Sequence, residues 1–381
     1  MGERFQVEVG PVAHGGHCVA RVETGRTVED REGRPVPERR VVFVRHALPG
    51  EQVVVEITEG TDGDRFWRGD AVEVLAASAD RVSPPCPYAG PGRCGGCDFQ
   101  HGALPAQREL KAAVVTEQLA RLAGIDLEVT VEAVPGDEDG LRWRTRQAYA
   151  ELPDGVPGRG MRKHRSHEVI PVEECLLATR DARAPVPGTR VETVTAAGRR
   201  HEFRVAADGF WQVHPGAPRT LVETVLDLLR PVAGESVLDL YAGVGLFAAF
   251  LADAVGESGR VVAVEGDPAA SAYSRDNVPT ASVTAGDVAT VLASSYPGAV
   301  DLVVLDPPRE GARRAVVEQV IGRLPRAVAY VACDPAALAR DVAIFAEHGY
   351  RLERLRAFDL FPMTHHVECV ALLTKTGSDL R

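Results

Sequence analysis

The second half of the chain alternates apolar runs with helical patterns, and this alternation restricts the fold more than any other feature. Four runs have the length of buried strands: Ser236–Leu240, 261–265, 300–305 and Ala327–Ala332. Helical spacing follows the last of them over residues 336–346. Strands that alternate with helices build βαβ units and a parallel sheet. The sequence therefore predicts an open α/β sheet from residue 206 onward.

Two further runs, at residues 351–361 and 362–374, have no helical pattern between them. Successive strands without a crossover connection pair antiparallel, so we predict an antiparallel edge on the sheet. Glu368 lies in the second run, between Val367 and Cys369. A carboxylate in such surroundings is either paired structurally or a base with a raised pKa.

A glycine turn follows the first buried strand and is a candidate cofactor loop. Gly243 and Gly245 lead into a helical pattern, but Ala248 occupies the place of the third glycine of a dinucleotide-binding fingerprint. Acids end the next three strands: Glu265, Asp287 and Asp306. Carboxylates accept hydrogen bonds from ribose hydroxyls and repel phosphate. The pattern favours S-adenosylmethionine, a cation without phosphates, over NAD or ATP; helix capping is the alternative for each acid taken singly.

Cys333 lies between the strand at Ala327–Ala332 and the helical pattern that follows it. The carboxyl ends of strands in open α/β sheets are where ligands bind. Taken alone, a free cysteine is more often a small buried residue than a nucleophile. The acids at the neighbouring strand ends, and Glu368 as a base, favour the nucleophile.

The first 76 residues contain five short runs typical of strands, at 5–12, 18–23, 40–46, 52–58 and 71–75. Glycine, proline and polar segments separate them, the longest at 24–37. Strands at this spacing predict a small β-barrel of the oligonucleotide-binding type. A barrel that only packs against the rest of the chain, or that binds a protein, would have the same pattern.

Three of the seven cysteines, Cys86, Cys94 and Cys97, form a Cys-x7-Cys-x2-Cys cluster among glycines. In a long chain without a signal-peptide pattern, such a cluster indicates a metal or catalysis rather than disulfides, and it predicts a cytoplasmic protein. A closed site needs a fourth ligand, for which Cys175 is the candidate. Zinc and a [4Fe–4S] cluster both accept four cysteines, so the spacing leaves the metal open. We expect no membrane span, because no apolar run approaches about 20 residues.

The chain is acidic, with a net charge of −11, but one segment reverses the sign. Residues 142–167 contain seven Lys or Arg and two Asp or Glu, in what we predict to be a hairpin. Trp143 and Tyr149 offer stacking surfaces there. Phosphate attraction and base stacking act together in RNA binding, so this segment favours an RNA partner. A solvated strand face is the alternative.

In combination these motifs resemble the RNA uracil-5-methyltransferases, which make 5-methyluridine in transfer or ribosomal RNA. The likeness runs over nearly the whole chain. It implies a multidomain α/β protein with an RNA-binding TRAM-type barrel at 1–83 and a central unit with the cysteine cluster and basic segment at 84–205. A Rossmann-like methyltransferase domain at 206–381 completes it. The sequence indicates no obligate protein partner.

The resemblance also implies roles for individual residues. Four cysteines match the ligands of the family's [4Fe–4S] cluster: Cys86, Cys94, Cys97 and Cys175. The segment around Gln212 is similar to the family's Phe-x-Gln-Val motif, whose glutamine contacts the cofactor. Further cofactor positions fall on Tyr241, Glu265, Asp287 and Asp306. Cys333 falls on the nucleophile and Glu368 on the general base.

Three positions depart from the family pattern. The first cysteine spacing is seven residues where many members have five, and Leu246 replaces a polar residue after the second glycine. Asp334 replaces an asparagine, and its charge would raise the pKa of the adjacent thiol.

Other activities remain open. RNA cytosine-5-methylation uses similar thiol chemistry and is an alternative, as is a non-catalytic RNA-binding protein that contains a metal. Arg309 follows Asp306-Pro-Pro, where enzymes that methylate adenine amino groups have an aromatic residue, and this counts against that activity. The motifs do not distinguish tRNA from rRNA.

Overall fold

The fold comes from a computed structural model that describes residues 2–30, 32–296 and 298–377. Its first part is a sheet of six strands in the order β1-β5-β6-β4-β3-β2. The strands are β1 (Arg4–Glu8), β2 (Val12–Ala13), β3 (His17–Glu29), β4 (Pro35–Arg45), β5 (Gln52–Glu59) and β6 (Phe66–Ala76). After β1, the amide of Gly10 donates to the carbonyl of Val19 in β3 (2.8 Å), so the sheet curls back on itself as a barrel. Fully buried valines such as Val42 and Val53 fill its interior.

The structure corrects the expectation that residues 24–37 only separate two strands. β3 continues to Glu29, β4 already begins at Pro35, and pairs such as Val28 with Val36 join them into a long ribbon. The side chains of this ribbon are mostly exposed, and the Thr24 hydroxyl donates across it to Glu38 (2.7 Å). Because the ribbon has no buried face, it lacks the apolar alternation that marks a strand in a sequence.

The middle of the chain contains one helix and several short strands. α1 (Leu104–Gln118) ends in a π-helical turn (Leu119–Ala123), and a 3₁₀ turn covers Pro153–Gly155. The strands are β7 (Val131–Glu132), β8 (Arg144–Arg146), β9 (Arg159–Arg162), β10 (Val169–Val172), β11 (Ala178–Arg183), β12 (Thr189–Ala196) and β13 (Arg199–Ala206). β9–β10 and β12–β13 are antiparallel pairs, whereas β8 and β11 are parallel.

Two expectations for the basic segment are wrong. It is not a single hairpin: β8 pairs with the distant β11, Ala150 pairs antiparallel with Gly160, and β9 pairs with β10, which lies beyond the segment. Trp143 offers no stacking surface: it is 3% exposed and packs with Leu177 and Met363. An indole can pack in an apolar core as well as stack on a base, and the neighbouring sequence does not show which of the two occurs.

The last part of the chain builds an eight-stranded sheet in the order β16-β15-β14-β17-β18-β20-β19-β7. Its strands are β14 (Ser236–Leu240), β15 (Arg260–Glu265), β16 (Ser282–Ala285), β17 (Leu302–Leu305), β18 (Ala327–Ala332), β19 (Tyr350–Phe358) and β20 (Glu368–Lys375), with β7 added. The helices are α2 (Ala217–Leu229), α3 (Leu246–Val255), α4 (Pro268–Asn277), α5 (Val288–Ser294), α6 (Arg313–Ile321) and α7 (Pro335–Glu347). β14 to β18 are parallel, which confirms the predicted α/β class.

β20 pairs antiparallel with both β18 and β19, as the missing crossover predicts. The predicted antiparallel edge is confirmed, because β20 and β19 end this side of the sheet except for one short addition. β7, from the middle of the chain, pairs parallel with β19 at Ala357 and Phe358 and covers only the end of that strand. A strand of two residues leaves no detectable apolar pattern, so its place depends on the sheet it joins.

Two apolar cores lie on opposite faces of this sheet. Successive residues of a strand point to opposite faces, and Val237 packs into one core while Leu238 packs into the other. Segments between residues 84 and 205 contribute to both: Val115 and Val131 to one, Phe203 to the other. The division at 83 and 205 therefore stays a proposal, in which the middle unit shares its packing with the last. Among the described helices, none is long and apolar enough to cross a membrane.

Candidate active site

The connections of the large sheet change direction between β14 and β17, and the loops that follow these strands form the candidate cofactor site. From β14 the chain builds outward through β15 to β16, and it then returns to place β17 on the other side of β14. Such a switch point opens a crevice at the carboxyl ends of the strands. The amide of Asp306 donates to the carbonyl of Leu240 (3.2 Å), so the two strand ends lie side by side.

The Gly243 loop has a backbone that glycine permits. Tyr241, Gly243 and Gly245 have φ angles of 64°, 55° and 93°. A Cβ on Gly245 would meet the side chains of Val278 and Ser274 at 2.8 and 2.9 Å, whereas one on Gly243 would meet no atom within 4 Å. Gly245 is thus required for packing, and the space beside Gly243 is open to a ligand. Leu246, the departure at the next position, is buried in the core.

Two of the predicted cofactor acids hold backbone in place. Glu265 accepts from the amides of Gly243 (2.8 Å) and Asp267 (2.7 Å) and so fixes the loop. Asp287 is exposed and caps α5 through the amide and hydroxyl of Thr290 (2.9 and 2.8 Å). Asp287 therefore caps a helix, which was the alternative interpretation of each of these acids. Each carboxylate still has lone pairs for ribose hydroxyls.

Two further acids lie near this loop: Asp239 is fully buried and Asp306 is half-buried. Burial and the nearby Glu265 raise the pKa of Asp306 to about 7. Burial, with Asp306 next in effect, raises the pKa of Asp239 to about 8, although the Ala248 amide donates to it (2.9 Å). Sequence reasoning missed Asp239, because an acid inside the strand at Ser236–Leu240 carries no signal beyond interrupting an apolar run.

Gln212 follows Trp211, which is 7% exposed and belongs to the core. Its side chain is half-buried, and among the described residues no hydrogen bond joins it to the Gly243 loop. The carbonyl of the next residue, Val213, accepts from the Thr145 amide (2.9 Å), which anchors the segment to the middle of the chain. The role of Gln212 stays a prediction.

Cys333 and Glu368 adjoin each other at the ends of β18 and β20. Ala332 pairs with Cys369 in the antiparallel register, so Cys333 and Glu368 lie one step beyond that pair. Glu368 is 5% exposed, and burial together with Asp306 holds its pKa well above the usual range. Burial, followed by the charges of Glu368 and Asp306, raises the pKa of Cys333 to about 12. The Cys333 thiol is therefore protonated in the free protein at neutral pH.

A cavity of about 220 Å³ contains Cys333 on its wall. Cationic or titratable side chains from distant segments also line it: His14, Lys111, Arg309, His365 and His366. Arg309 lowers the pKa of the thiol and lies 3.5 Å from His366. Sequence reasoning assigned none of these residues to the site, because they come from three parts of the chain that only folding brings together.

The predicted effect of Asp334 on the thiol is present, but it is the smallest of the five main influences on the pKa of Cys333. One carboxylate oxygen caps α7 by accepting from the Ala337 amide (2.8 Å). The other lies 2.9 Å from Nε2 of His14, in the barrel. The charge that the sequence places beside the thiol is therefore partly offset by a partner.

The four predicted metal ligands line one small cavity: Cys86, Cys94, Cys97 and Cys175. Gln100 donates to the sulfur of Cys97 (3.1 Å), and the Gly96 amide donates to that of Cys94 (3.4 Å). The longer first spacing is absorbed by a turn that the Cys94 amide closes on the carbonyl of Tyr88 (3.0 Å). In the part of the chain that the structure describes, no group of three or more His, Cys, Asp or Glu side chains is arranged to hold a metal ion.

An open sheet with a glycine loop at its switch point and acids at the strand ends fits the class of S-adenosylmethionine-dependent methyltransferases. Family models agree. That of the tRNA (uracil-5-)-methyltransferases matches residues 288–376, that of the TRAM domain residues 1–72, and that of the protein-L-isoaspartate O-methyltransferases residues 212–302.

Relatives extend the likeness to the whole chain. An uncharacterized RNA methyltransferase of Streptomyces avermitilis is 44% identical over all of both chains. The 23S rRNA (uracil(1939)-C(5))-methyltransferase RlmD of Chromohalobacter salexigens is 32% identical over 96% of this chain and 88% of its own. The chain therefore belongs to the RNA uracil-5-methyltransferase family, as its motifs predict.

A solved structure shows the same fold. The Pyrococcus abyssi tRNA (uracil-54, C5)-methyltransferase, in complex with S-adenosyl-L-homocysteine, covers 96% of this chain and 99% of its own with a TM-score of 0.67 at 21% identity. The barrel, the middle segment and the large sheet thus recur together in one architecture.

Proposed function

We propose that this protein transfers a methyl group from S-adenosylmethionine to carbon 5 of a uridine in tRNA or rRNA, with Cys333 as nucleophile and Glu368 as general base. One observation carries the proposal: the thiol and the carboxylate adjoin each other at the ends of β18 and β20, and the thiol faces a cavity. Family membership supports the reaction and the RNA substrate.

The reaction needs both groups, because carbon 5 of uracil is a weak nucleophile. When the Cys333 thiolate adds to carbon 6, a new C–S bond forms and the ring electrons move to the carbonyl at carbon 4. The enolate then attacks the methyl group from carbon 5, so a C–C bond forms while the methyl–sulfur bond breaks and the electron pair stays on the sulfur of the departing S-adenosylhomocysteine. Glu368 accepts the proton that carbon 5 loses, the double bond re-forms and the thiolate leaves. Bound S-adenosylmethionine supplies the electrophilic methyl group.

The environment of the pair suits these roles. Burial raises the pKa of Glu368, which makes its carboxylate a stronger base towards the carbon-5 proton. The thiol, with its pKa near 12, needs a cation to ionise, and Arg309 lowers that pKa. The target base must leave its stack to reach the cavity, and unstacking is the usual entry to such sites. The barrel and the basic middle segment are the surfaces we assign to RNA.

For the cofactor we propose Gln212, Tyr241, Gly243, Gly245, Glu265, Asp287 and Asp306, around the crevice described above. The four cysteines that share a cavity are proposed to hold a [4Fe–4S] cluster, with zinc as the alternative. The donor set fits the group, because all four ligands are thiols and two of the sulfurs receive hydrogen bonds. Iron and sulfide analysis after anaerobic purification tests this assignment; zinc without sulfide would replace it.

The central test uses labelled S-adenosylmethionine and RNA. We expect the label in 5-methyluridine with the wild-type protein and with Cys369→Ala, a matched change of the neighbouring buried cysteine. Cys333→Ala should bind the cofactor but transfer no label. Turnover by Cys333→Ala would refute the covalent mechanism, and label in 5-methylcytidine would reassign the substrate. Separate incubations with tRNA and rRNA identify the acceptor.

A further inference from the structure

The turn between β2 and β3 brings the barrel to the cavity that contains Cys333. His14, Gly15 and Gly16 all line this cavity, although they precede Cys333 by more than 300 residues in the chain. The fit is close: a Cβ on Gly16 would lie 2.5 Å from the Cβ of His365. The barrel therefore forms one wall of the site as well as a surface remote from it.

His14 reaches from this turn to the residue that follows the nucleophile. Its Nε2 lies 2.9 Å from one carboxylate oxygen of Asp334, whose other oxygen caps α7. The hydrogen bond that His14 donates to Asp334 raises the pKa of His14, against the opposing effect of burial. Burial opposes ionisation of Asp334, but the hydrogen bonds from His14 and the Ala337 amide lower its pKa. The pair thus favours a charged imidazolium beside a charged carboxylate.

We infer that His14 is a positioning residue for the methyl-transfer reaction, which holds Asp334 and offsets its negative charge so that the Cys333 thiol ionises more readily. The inference rests on the proposed role of Cys333. Without an imidazolium partner, a full negative charge would remain on the residue next to the thiol, and a nearby like charge disfavours ionisation. The barrel would then contribute to the chemistry as well as to RNA binding.

The other charges near these groups do not replace His14. Besides Asp334, the imidazole faces Arg340, which disfavours its protonation, and Glu117, which favours it. Besides Asp334, the thiol faces Glu368, Asp306 and Arg309. Arg309 is the cation among them, and Lys111, which lines the same cavity, is paired with Asp359. His14 is therefore the cation that pairs with Asp334.

The test follows alkylation of Cys333 by iodoacetamide in the full chain, measured peptide by peptide against pH with mass spectrometry. We expect His14→Ala and His14→Gln to raise the apparent pKa of Cys333 by about half a unit to one unit. This is less than the one to three units typical of a close buried charge, because the His14 side chain is 41% exposed to solvent. Methylation at neutral pH should fall about three- to tenfold, in kcat more than in KM.

The decisive experiment repeats the alkylation in Asp334→Asn, a variant in which residue 334 carries no charge. Asp334→Asn should lower the pKa of the thiol, and adding His14→Ala to it should change nothing further. The matched control is His348→Ala, an exposed histidine just after α7 that should leave the profile unchanged. His14→Gln keeps a hydrogen-bonding side chain, so it separates loss of charge from loss of packing if His14→Ala folds poorly.

Two results would overturn the inference: an unchanged alkylation profile in His14→Gln, or an equal effect of His14→Ala with and without the Asp334 charge. Neither result touches the proposed function, because Cys333→Ala tests that separately. If Cys333→Ala remains active, the proposed function itself falls.

Discussion

Lys111 and Asp359 form an ion pair that is almost wholly enclosed, with side chains 0% and 1% exposed, across 248 residues of sequence. Lys111 also donates to the carbonyl of Phe361 (3.0 Å) and lines the cavity that contains Cys333. The pair therefore joins α1 to the segment between β19 and β20. It therefore holds Lys111, which lines the cavity, in place.

Removing one partner of this pair should destabilise the protein strongly. Lys111→Met leaves Asp359 charged and buried without a partner, so we expect a loss of about 3–5 kcal/mol in the free energy of unfolding. Adding Asp359→Asn to Lys111→Met should recover part of it. Urea unfolding followed by tryptophan fluorescence measures both. The control is Arg314→Met, which breaks the exposed pair with Glu347 (2.7 Å) and should cost at most about 1 kcal/mol. Equal losses in the two variants would contradict the argument.

The proposed role of Glu368 predicts a trapped intermediate. In Glu368→Gln, Cys333 can still add to carbon 6 and carbon 5 can still be methylated, but the carbon-5 proton has no acceptor. We therefore expect an RNA–protein adduct that survives a denaturing gel, together with a loss of turnover of at least about a hundredfold. Normal turnover without an adduct would remove Glu368 from the mechanism. The double variant with Cys333→Ala should form no adduct.

Cofactor affinity should depend on pH through Asp306. Its pKa is about 7 in the free protein, and a bound sulfonium cation favours the ionised form. As the pH falls below 7, binding must displace a proton, so affinity for S-adenosylmethionine should fall by up to about tenfold per unit. Above pH 7 it should level off. Titration calorimetry in buffers of different ionisation enthalpy detects the released proton.

Two comparisons separate this effect from a general loss of binding. S-adenosylhomocysteine, which lacks the sulfonium charge, should show a shallower pH dependence. Asp306→Asn should bind more weakly but without the slope, whereas Asp287→Asn, which changes an exposed helix cap, should keep it. A slope that persists in Asp306→Asn would assign the proton to another group.

Acid should destabilise the fold through neutral buried histidines. His101 and His214 are each 5% exposed, and burial lowers the pKa of both to about 4. In the unfolded chain each takes up a proton below about 6.5, whereas the folded protein resists protonation down to about 4. Stability is therefore complete above pH 6.5 and declines towards pH 4, by up to about 1.4 kcal/mol per unit for each histidine.

The variant His214→Asn checks this sign. Its side-chain oxygen can accept from the Gly216 amide, as Nδ1 of His214 does at 3.0 Å, but it does not titrate. The pH dependence of the unfolding midpoint between pH 6.5 and 4 should therefore become shallower than in the wild type. His348→Asn, at an exposed position, should leave it unchanged. An unaltered slope in His214→Asn would mean that this histidine is not neutral in the fold.

The local pattern of apolar residues was sufficient to predict the strands of the large sheet and the positions of the site residues along them. The strands at Ser236–Leu240 and Ala327–Ala332 agree with their predicted bounds, because apolar residues buried on both faces make up most of the first and all of the second. The helix predicted at 336–346 lengthens by one residue at each end, to Pro335–Glu347. The same apolar runs predicted the positions of the strand-end acids and of Cys333, because each of these residues directly follows or ends a predicted strand.

Prediction from apolar periodicity failed for segments that have no buried face and for strands that are very short. The exposed ribbon of β3 and β4 and the two-residue β7 have no apolar alternation, so neither was predicted. Trp143 shows the opposite failure, because a residue type that stacks on bases is equally suited to a core.

By itself the sequence determined the alternation of strands and helices, the cysteines, the acids and the family, because these depend on residue types at short spacing. The tertiary structure decided which of them meet. The register of β18 and β20 places Glu368 beside Cys333, and the docking of the barrel places His14 on Asp334, 320 residues away. Such contacts follow from backbone pairing and side-chain complementarity between distant elements, which no local periodicity records.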